Sequence, residues 1–265
     1  MKIVTVVQAR CSSSRLPNKI LLPILGKELL LRQIERISYS KLVGTIVVAT
    51  SEEKSDDIVE KICNENKILC YRGSLTDLLD RHYQVGKLFN ADAVVKIPSD
   101  CPLIDFRIID KVIEFFVENQ FKYDYVSNLH PATYPDGNDV EIMHFKILEK
   151  AWKEAKKDFE REHTTPFIWE NPDIFRIGNV EWETGKDYSM SHRFTIDYPE
   201  DYQFIKTVYE KLYPNNPYFS LEDILNLLED EPDIKKINEK YFGVNWYRNH
   251  LNELKTISPN QTKII

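Results

Sequence analysis

Short apolar runs alternate with amphipathic segments along the first hundred residues. The apolar runs are rich in β-branched residues, as buried strands are, and they lie at 3–7, 43–50, 68–71 and 91–97. Between them, apolar side chains recur at helical spacing in 28–38, 51–66 and 76–89. A regular alternation of strands and helices predicts an α/β fold, with a parallel sheet covered by helices on both faces.

The second half of the chain continues this pattern less regularly. Further strands are predicted at 123–127, 139–143, 174–180 and 192–196. Further helices are predicted at 105–116, 145–157, 160–169, 199–212, 221–228 and 234–242. We interpret residues 1–255 as one domain that contains an insertion at about 123–183. Residues 256–265 form a polar tail that is typical of a disordered terminus.

Composition is that of an ordinary globular protein, with 265 residues of which 42% are hydrophobic and 29% are charged. The net charge of −7 argues against nucleic acid or an anionic membrane as a partner. No apolar stretch is long enough for a transmembrane helix, and the N-terminus lacks a signal peptide. Four cysteines without CxxC spacing indicate free thiols, and hence a cytoplasmic protein: Cys11, Cys63, Cys70 and Cys101.

The loop after the first strand carries three cations within ten residues: Arg10, Arg15 and Lys19. Loops at the carboxyl edge of an α/β sheet are where ligands bind. Guanidinium forks, an ammonium group and loop amides together suit a polyphosphate. The alternative is a solvated basic loop with no ligand.

The order of residues in this loop, Ala9-Arg10-x-x-Ser13-x-Arg15-Leu16-Pro17-x-Lys19, carries a resemblance. It resembles the signature of the cytidylyltransferases that activate sugars, namely the acylneuraminate and 3-deoxy-manno-octulosonate enzymes and, in particular, the SpsF-like spore-coat-polysaccharide branch. The likeness extends from Val4 to about Tyr202. Some relatives have Gly where this chain has Asn18.

The resemblance implies a GT-A-like, Rossmann-type nucleotidyltransferase fold, with a mostly parallel mixed sheet and helices on both faces. It also implies that the enzyme uses Mg²⁺ and a nucleoside triphosphate. The loop cations Arg10, Arg15 and Lys19 would then be catalytic, because they stabilise the charge that develops on the phosphates. The other loop residues implied in nucleotide binding are Gln8, Ala9, Ser13 and Ser14.

Two aspartates follow predicted strands and resemble the metal ligands of the family. Asp100 lies in Ser99-Asp100-Cys101-Pro102-Leu103-Ile104, where Ser99 replaces a common Gly. Asp197 lies in Arg193-x-Thr195-Ile196-Asp197-x-Pro199-Glu200-Asp201. The resemblance implies that both carboxylates bind Mg²⁺, which prefers hard oxygen ligands. The alternative is that each aspartate caps the helix that follows it.

Residues 72–81 resemble a segment of the SpsF-like proteins, and the resemblance implies contact with the nucleoside. The residues concerned are Arg72, Gly73, Ser74 and Asp80. The alternative interpretation is a helix cap at Ser74 and a surface pair between Asp80 and Arg81.

The acceptor side is expected in two further segments that resemble relatives and in the insertion that contains them. The residues proposed for acceptor binding are Asp136, Asn138, Asp139, Glu141, Arg161, His163 and Arg193. Carboxylates suit sugar hydroxyls, whereas Arg and His suit a carboxylate or phosphate. A lone histidine such as His163 is more often structural.

The sequence therefore favours a Mg²⁺-dependent nucleotidyltransferase. It would transfer a nucleoside monophosphate, CMP from CTP in the first instance, to a sugar acid or sugar phosphate and release pyrophosphate for glycan biosynthesis. The alternatives are a GT-A-type glycosyltransferase and a non-catalytic nucleotide-binding protein. Members of the family are often homodimers, so the resemblance makes a homodimer an alternative to a monomer.

Overall fold

A seven-stranded mixed sheet lies at the centre of the computed structural model, which describes residues 1–265. The strands of the structure are β1 Ile3–Gln8, β2 Pro23–Ile24, β3 Lys27–Glu28, β4 Thr45–Ser51, β5 Leu69–Gly73, β6 Ala93–Pro98, β7 Tyr125–Ser127, β8 Glu141–His144 and β9 Ile177–Asn179. The order in the large sheet is β5-β4-β1-β6-β8-β7-β9, and β2 with β3 forms a separate ribbon. The expected mostly parallel sheet is confirmed, with β8 antiparallel to both of its neighbours.

Helices cover both faces of the sheet, as predicted. They are α1 Leu29–Ser38, α2 Asp57–Glu65, α3 Leu78–Leu88, α4 Phe106–Glu118, α5 Phe145–Glu154, α6 Asp158–His163, α7 Pro166–Trp169, α8 Pro199–Leu212, α9 Leu221–Asp230 and α10 Pro232–Lys236. Successive strand residues face opposite sides, so Val7 joins the core under α1, α4 and α8, whereas Val6 joins the core under α3 and α5. None of the helices combines the length and the apolar character needed to cross a membrane.

The pairing of the central strands brings polar and charged residues together at one edge of the sheet. Gln8 at the end of β1 pairs with Ala49 of β4 and with Pro98 at the end of β6. Because β8 runs antiparallel to β6, its first residue Glu141 pairs with Lys96, close to the same edge. The loops that follow β1 and β6 and the loop that precedes β8 therefore meet there.

Most predicted elements are confirmed within a few residues, but two predicted helices differ in extent. The helix expected at 51–66 begins later, because Ser51 belongs to β4 and its hydroxyl donates to Asp56. The helix expected at 160–169 is two helices, separated where Thr164 has a φ of 73°.

The strand predicted at 192–196 is wrong. This segment makes one isolated bridge, between Arg193 and Asp136, and then turns so that Ile196 N donates to Asp100 O. The pairing is therefore too short to form a strand.

The C-terminal end also differs from expectation. Residues 234–242 contain the end of α10 and a separate 3₁₀ turn, Glu239–Tyr241. The tail expected to be disordered is packed, since Ile257 and Thr262 are buried and Lys263 N donates to Gly243 O at 2.7 Å.

Gly137 shapes the loop before β8. Its φ is +102°, and a Cβ atom there would lie 2.6 Å from the carbonyl carbon of Phe194 and 2.7 Å from the amide nitrogen of Thr195. The neighbouring backbone bonds, Asp136 N to His192 O and Phe194 N to Asp136 O, hold the two segments together. Only glycine fits this close approach.

We expect Gly137→Ala to lower the free energy of unfolding by roughly 3 kcal/mol, the upper range for strained backbone. Gly185→Ala is the matched control, because its φ is +71° but nothing lies within 4 Å of the added atom. That control should lose only about 1–2 kcal/mol. Urea unfolding of both variants measures the difference, and equal losses would contradict the steric argument.

Candidate active site

A cleft of about 700 Å³ opens at the sheet edge described above. The loop after β1 forms one side of it, and the residues after β6 and before β8 form its floor. A segment near the C-terminus, residues 243–250, lines the remaining side, and we call it the C-terminal strap. The cleft therefore contains the first loop that sequence analysis singled out.

The loop after β1 faces both predicted aspartates. Lys19 Nζ lies 3.0 Å from Asp197 Oδ1 and 3.5 Å from Asp100 Oδ2, and it donates to Ile196 O at 2.7 Å. Arg15 Nη2 lies 2.7 Å from the same Asp197 oxygen. The loop turns at Asn18, whose φ of 57° lies in the left-handed region that glycine and asparagine tolerate. The structure thus brings the cations and the aspartates together.

The charges of this group support one another. Burial alone would raise the pKa of Asp197, but the adjacent cations Lys19 and Arg15 lower it to about 2. Burial alone would lower the pKa of Lys19, but Asp100 and Asp197 outweigh it and raise that pKa. Lys19 and Asp197 are therefore both ionised at neutral pH, although little of either side chain is exposed.

Arg193 is buried beside this group, with 1% of its side chain exposed. Its five N–H groups are all used within the protein, on Asp136, Asp197, the main-chain oxygen of Val244 and twice on Asp201. Arg193 was expected to bind the acceptor, but no donor is left for one. The structure instead makes it the group that positions two cleft carboxylates and the C-terminal strap.

The floor of the cleft is acidic. Burial is the largest influence on Asp136 and Asp139, and it raises both pKa values, that of Asp139 to about 6 with a further contribution from Asp100. Asn138 also lines the cleft, but its amide is occupied by Pro135 O and by the N–H of Asp105. Asp136 and Asp139 therefore remain the carboxylates of the floor that a bound hydroxyl could meet.

Deeper in the floor, Glu141 pairs with Lys96 and accepts a hydrogen bond from Tyr125 Oη at 2.6 Å. Burial alone would raise the pKa of Glu141, but Lys96 lowers it. Sequence reasoning missed Lys96. The available signal was the lysine inside the otherwise apolar run at 93–97, since a buried strand carries a charge only with a partner.

Four residues predicted to contact the nucleoside do not line the cleft. Arg72 pairs with Asp57 and Glu60 of α2, and Asp80 accepts from Trp152 Nε1 at 2.8 Å. Ser74 and Gly73 are also directed into the protein. Ser74 Oγ accepts from Asp77 N at 3.1 Å, and a Cβ atom on Gly73 would lie 2.9 Å from the Tyr71 ring. The alternative of a helix cap at Ser74 and a surface pair between Asp80 and Arg81 is also wrong, because Asp77 caps the helix by accepting from Asp80 N at 2.8 Å and Arg81 is buried.

The next residue of α3, Arg81, lies on the cleft side instead. Its Nη1 donates to Ala49 O at 2.9 Å, and its Nε is buried without a partner in the protein. Gln8 also lines the cleft, and its Oε1 is likewise buried and unpartnered. Within this segment Arg81 therefore reaches the cleft whereas its neighbour Asp80 does not, because adjacent residues of a helix point about 100° apart.

The two residues predicted from α6 differ in position. Arg161 does not line the cleft, because its guanidinium pairs with Asp77 at 2.5 Å and donates to Trp152 O at 2.6 Å. His163 does line it and stacks on Trp246, with 3.8 Å between ring centroids. Burial lowers the pKa of His163 to about 3, so it offers a neutral ring rather than a charge.

The remaining predicted residues line the cleft with the first loop: Ala9, Arg10, Ser13 and Ser14. Arg10 lies at the rim, where its Nη2 is 3.5 Å from Glu162. Sequence reasoning missed the C-terminal strap altogether. The signal for it was the density of aromatic residues at 241–247, with Tyr241-Phe242 and Trp246-Tyr247, directly before Arg248.

Comparison with known proteins fits this geometry. A family model described as cytidylyltransferase matches residues 4–228. The chain belongs to the cytidylyltransferase family. The expected resemblance and the expected enzyme class are thereby confirmed. The C-terminal strap lies beyond the matched residues.

Relatives match this cytidylyltransferase over most of its length. The spore coat polysaccharide biosynthesis protein SpsF of Bacillus subtilis is 30% identical over 87% of this chain and 95% of its own. The structure of a cytidylyltransferase from Leptospira borgpetersenii has 35% identity and a TM-score of 0.83, over 88% of this chain and 96% of that one. A CMP:2-keto-3-deoxy-manno-octonic acid synthetase complexed with CTP shares the fold, with 17% identity and a TM-score of 0.60 over 80% and 99% of the two chains.

Replacing Arg193 tests its central position in the cytidylyltransferase. Arg193→Met leaves the fully buried Asp201 without a cation, and it removes a partner of Asp136 and Asp197, so we expect a loss of about 3–5 kcal/mol in the free energy of unfolding. Arg107→Met is the control, because Arg107 is exposed and Asp105 keeps its backbone donors Arg107 N and Leu221 N. The control should lose at most about 1 kcal/mol in urea unfolding, and a similar loss in both variants would contradict the assignment.

The raised pKa of Asp139 predicts a pH-dependent difference. The carboxyl releases its proton near pH 3.8 when unfolded but near pH 6 when folded, so its ionisation destabilises the fold between these values. Asp139→Asn should therefore gain stability relative to the wild type as pH rises from 3.8 to about 6, with a constant difference above that.

Asp124→Asn is the matched control, because the hydrogen bond from Arg176 lowers the pKa of Asp124. That variant should instead lose stability relative to the wild type as pH rises through this lowered pKa. Urea unfolding measured at a series of pH values reports both differences. Equal signs for the two variants would show that Asp139 is not held as described.

Proposed function

We propose that this cytidylyltransferase transfers CMP from CTP to a sugar acid or sugar phosphate, with release of pyrophosphate, in the synthesis of a surface polysaccharide or other glycan. The observation that carries the proposal is the pairing of Lys19 and Arg15 with Asp197, beside Asp100, in a cleft at the carboxyl edge of the sheet. The names of the relatives, among them a spore coat polysaccharide protein, support the choice of CTP and of a sugar acceptor.

The reaction joins the acceptor oxygen to the α-phosphorus and breaks the bond from that phosphorus to the bridging oxygen. Pyrophosphate leaves with the electron pair of that bond. Lys19, Arg15 and Arg10 stabilise the charge that grows on the phosphate oxygens. The proton of the acceptor hydroxyl passes to a carboxylate of the floor, for which Asp139, with a pKa of about 6, is suited.

The acidic residues also fit the Mg²⁺ that the resemblance implies, although to different degrees. Asp100 is one-third exposed in the cleft and has Lys19, at 3.5 Å, as its one charged partner, so its carboxylate can bind a metal ion. Asp197 already accepts from Arg15, Lys19 and Arg193, which makes it the weaker ligand. No group of three metal-binding side chains is present, but Mg²⁺ is commonly held by one or two carboxylates with phosphate oxygens. When bound, Mg²⁺ would neutralise phosphate charge.

The choice of nucleotide is tested by thermal unfolding with each of the four nucleoside triphosphates and Mg²⁺. CTP should raise the melting temperature most, since binding to the folded state alone stabilises it by about 2.7 kcal/mol at 100 times Kd. Equal shifts with all four triphosphates would contradict a cytidine-specific site. In an activity assay, transfer of a sugar from a nucleotide sugar without release of pyrophosphate would favour the glycosyltransferase alternative.

Lys19→Met should reduce CTP-dependent pyrophosphate release by roughly 100- to 1,000-fold, the usual effect of removing one group that stabilises a transition state. Lys61→Met is the control, since Lys61 is an exposed lysine of α2 outside the cleft. Release is measured with a panel of sugar acids and sugar phosphates, and circular dichroism checks the fold. Normal turnover by a folded Lys19→Met variant would end the proposal.

A further inference from the structure

Arg248 of the C-terminal strap is a cleft cation with no ionic partner. Five of the other cleft cations pair with carboxylates: Arg10, Arg15, Lys19, Lys96 and Arg193. The guanidinium of Arg248 makes one hydrogen bond, from Nη2 to Tyr198 Oη at 3.2 Å. Its Nη1 is buried and has no partner within the protein. A buried cationic donor of this kind calls for an anion.

The position of Arg248 places it on the phosphate side of the cleft. Its partner Tyr198 directly follows Asp197, and the guanidinium carbon of Arg15 lies 5.7 Å from the centre of the Tyr198 ring. Tyr198 is fixed by stacking on Tyr241, with 3.8 Å between centroids and 5° between planes. Arg15 and Arg248 are therefore neighbours of one tyrosine.

The strap that carries Arg248 is held at several points. Val244 O accepts from Arg193 Nη1 at 2.6 Å, and Asn245 Nδ2 donates to Gln261 O at 2.8 Å. Trp246 stacks on His163 across the cleft. Because the strap is held at these points, the backbone at Arg248 is fixed before a ligand binds, which lowers the entropic cost of binding.

We propose that Arg248 binds the β- and γ-phosphates of the nucleoside triphosphate and the pyrophosphate released from it. The inference rests on the proposed function and extends it to a residue outside the part of the chain that the family model matches. The loop cations Arg15 and Lys19 are partly neutralised by Asp197, whereas Arg248 brings a charge that no carboxylate of the protein pairs. An arginine also fits two phosphate oxygens at once.

The acid group of a sugar acceptor is the other anion that Arg248 could meet, and ligand choice separates the two. Calorimetry with Mg²⁺ compares CTP, CMP and pyrophosphate on the wild type, Arg248→Met and the control Lys240→Met. Lys240 lies on the same side of the molecule, but it pairs with Glu200 outside the cleft, and its loss changes net charge equally.

We expect Arg248→Met to lower the affinity for CTP and for pyrophosphate by roughly 10- to 100-fold, the effect of losing hydrogen bonds to a charged group. CMP lacks the two outer phosphates, so its affinity should stay unchanged, and the control should match the wild type throughout. Arg248→Lys keeps the positive charge but lacks the planar guanidinium, so its affinity for CTP should lie between those of the wild type and Arg248→Met. Arg248→Gln provides the same test if the Met variant does not fold.

Equal losses for CTP and CMP, or a raised acceptor KM with unchanged CTP affinity, would overturn the inference. CTP binding that is lost in Lys19→Met but normal in the Arg248 variants would also overturn it, while leaving the proposed function intact. A wild type that binds no CTP would instead remove the proposed function, and the inference with it.

Discussion

The buried guanidinium of Arg193 is the interaction on which the cleft depends. It binds Asp136 in the loop before β8 and Val244 O in the C-terminal strap. It also binds Asp197, in the loop before α8, and Asp201, in the first turn of α8. The local segment 193–201 therefore meets two parts of the chain more than 50 positions away at one side chain. In a buried site each of these charges is stable only while the others are present.

This network also determines how the cationic side of the cleft is arranged on folding. Asp197 directs one oxygen to Arg193 and the other to Lys19 and Arg15, and Lys19 is further fixed by Ile196 O. The cations are therefore oriented on folding and need little rearrangement when an anion binds. The acidic floor beyond Asp100, with its raised pKa values, favours hydroxyl groups over further anions.

Sequence reasoning succeeded where a motif directly follows a strand and failed where orientation decides. Lys19 and Asp100 meet because the strands before them, β1 and β6, end at one edge. Asp197 follows no strand and is brought to that edge by the hydrogen bond from Ile196 N to Asp100 O. Asp80 and Arg161 carry equally suitable chemistry, but they turn to Trp152 and Asp77 instead. A motif gives the residue and its element, whereas the direction of a side chain depends on neighbours that the motif does not contain.

The sequence by itself determined the α/β architecture, the enzyme family and the cationic loop, because strand periodicity and a contiguous signature are local properties of the chain. Only the tertiary structure decided that Arg193 is fully occupied, that Lys96 pairs with Glu141 and that the C-terminal strap brings Arg248 to the cleft. These contacts join residues up to 57 positions apart. Partners at such separations are selected by packing and charge compensation, which have no local pattern in the sequence.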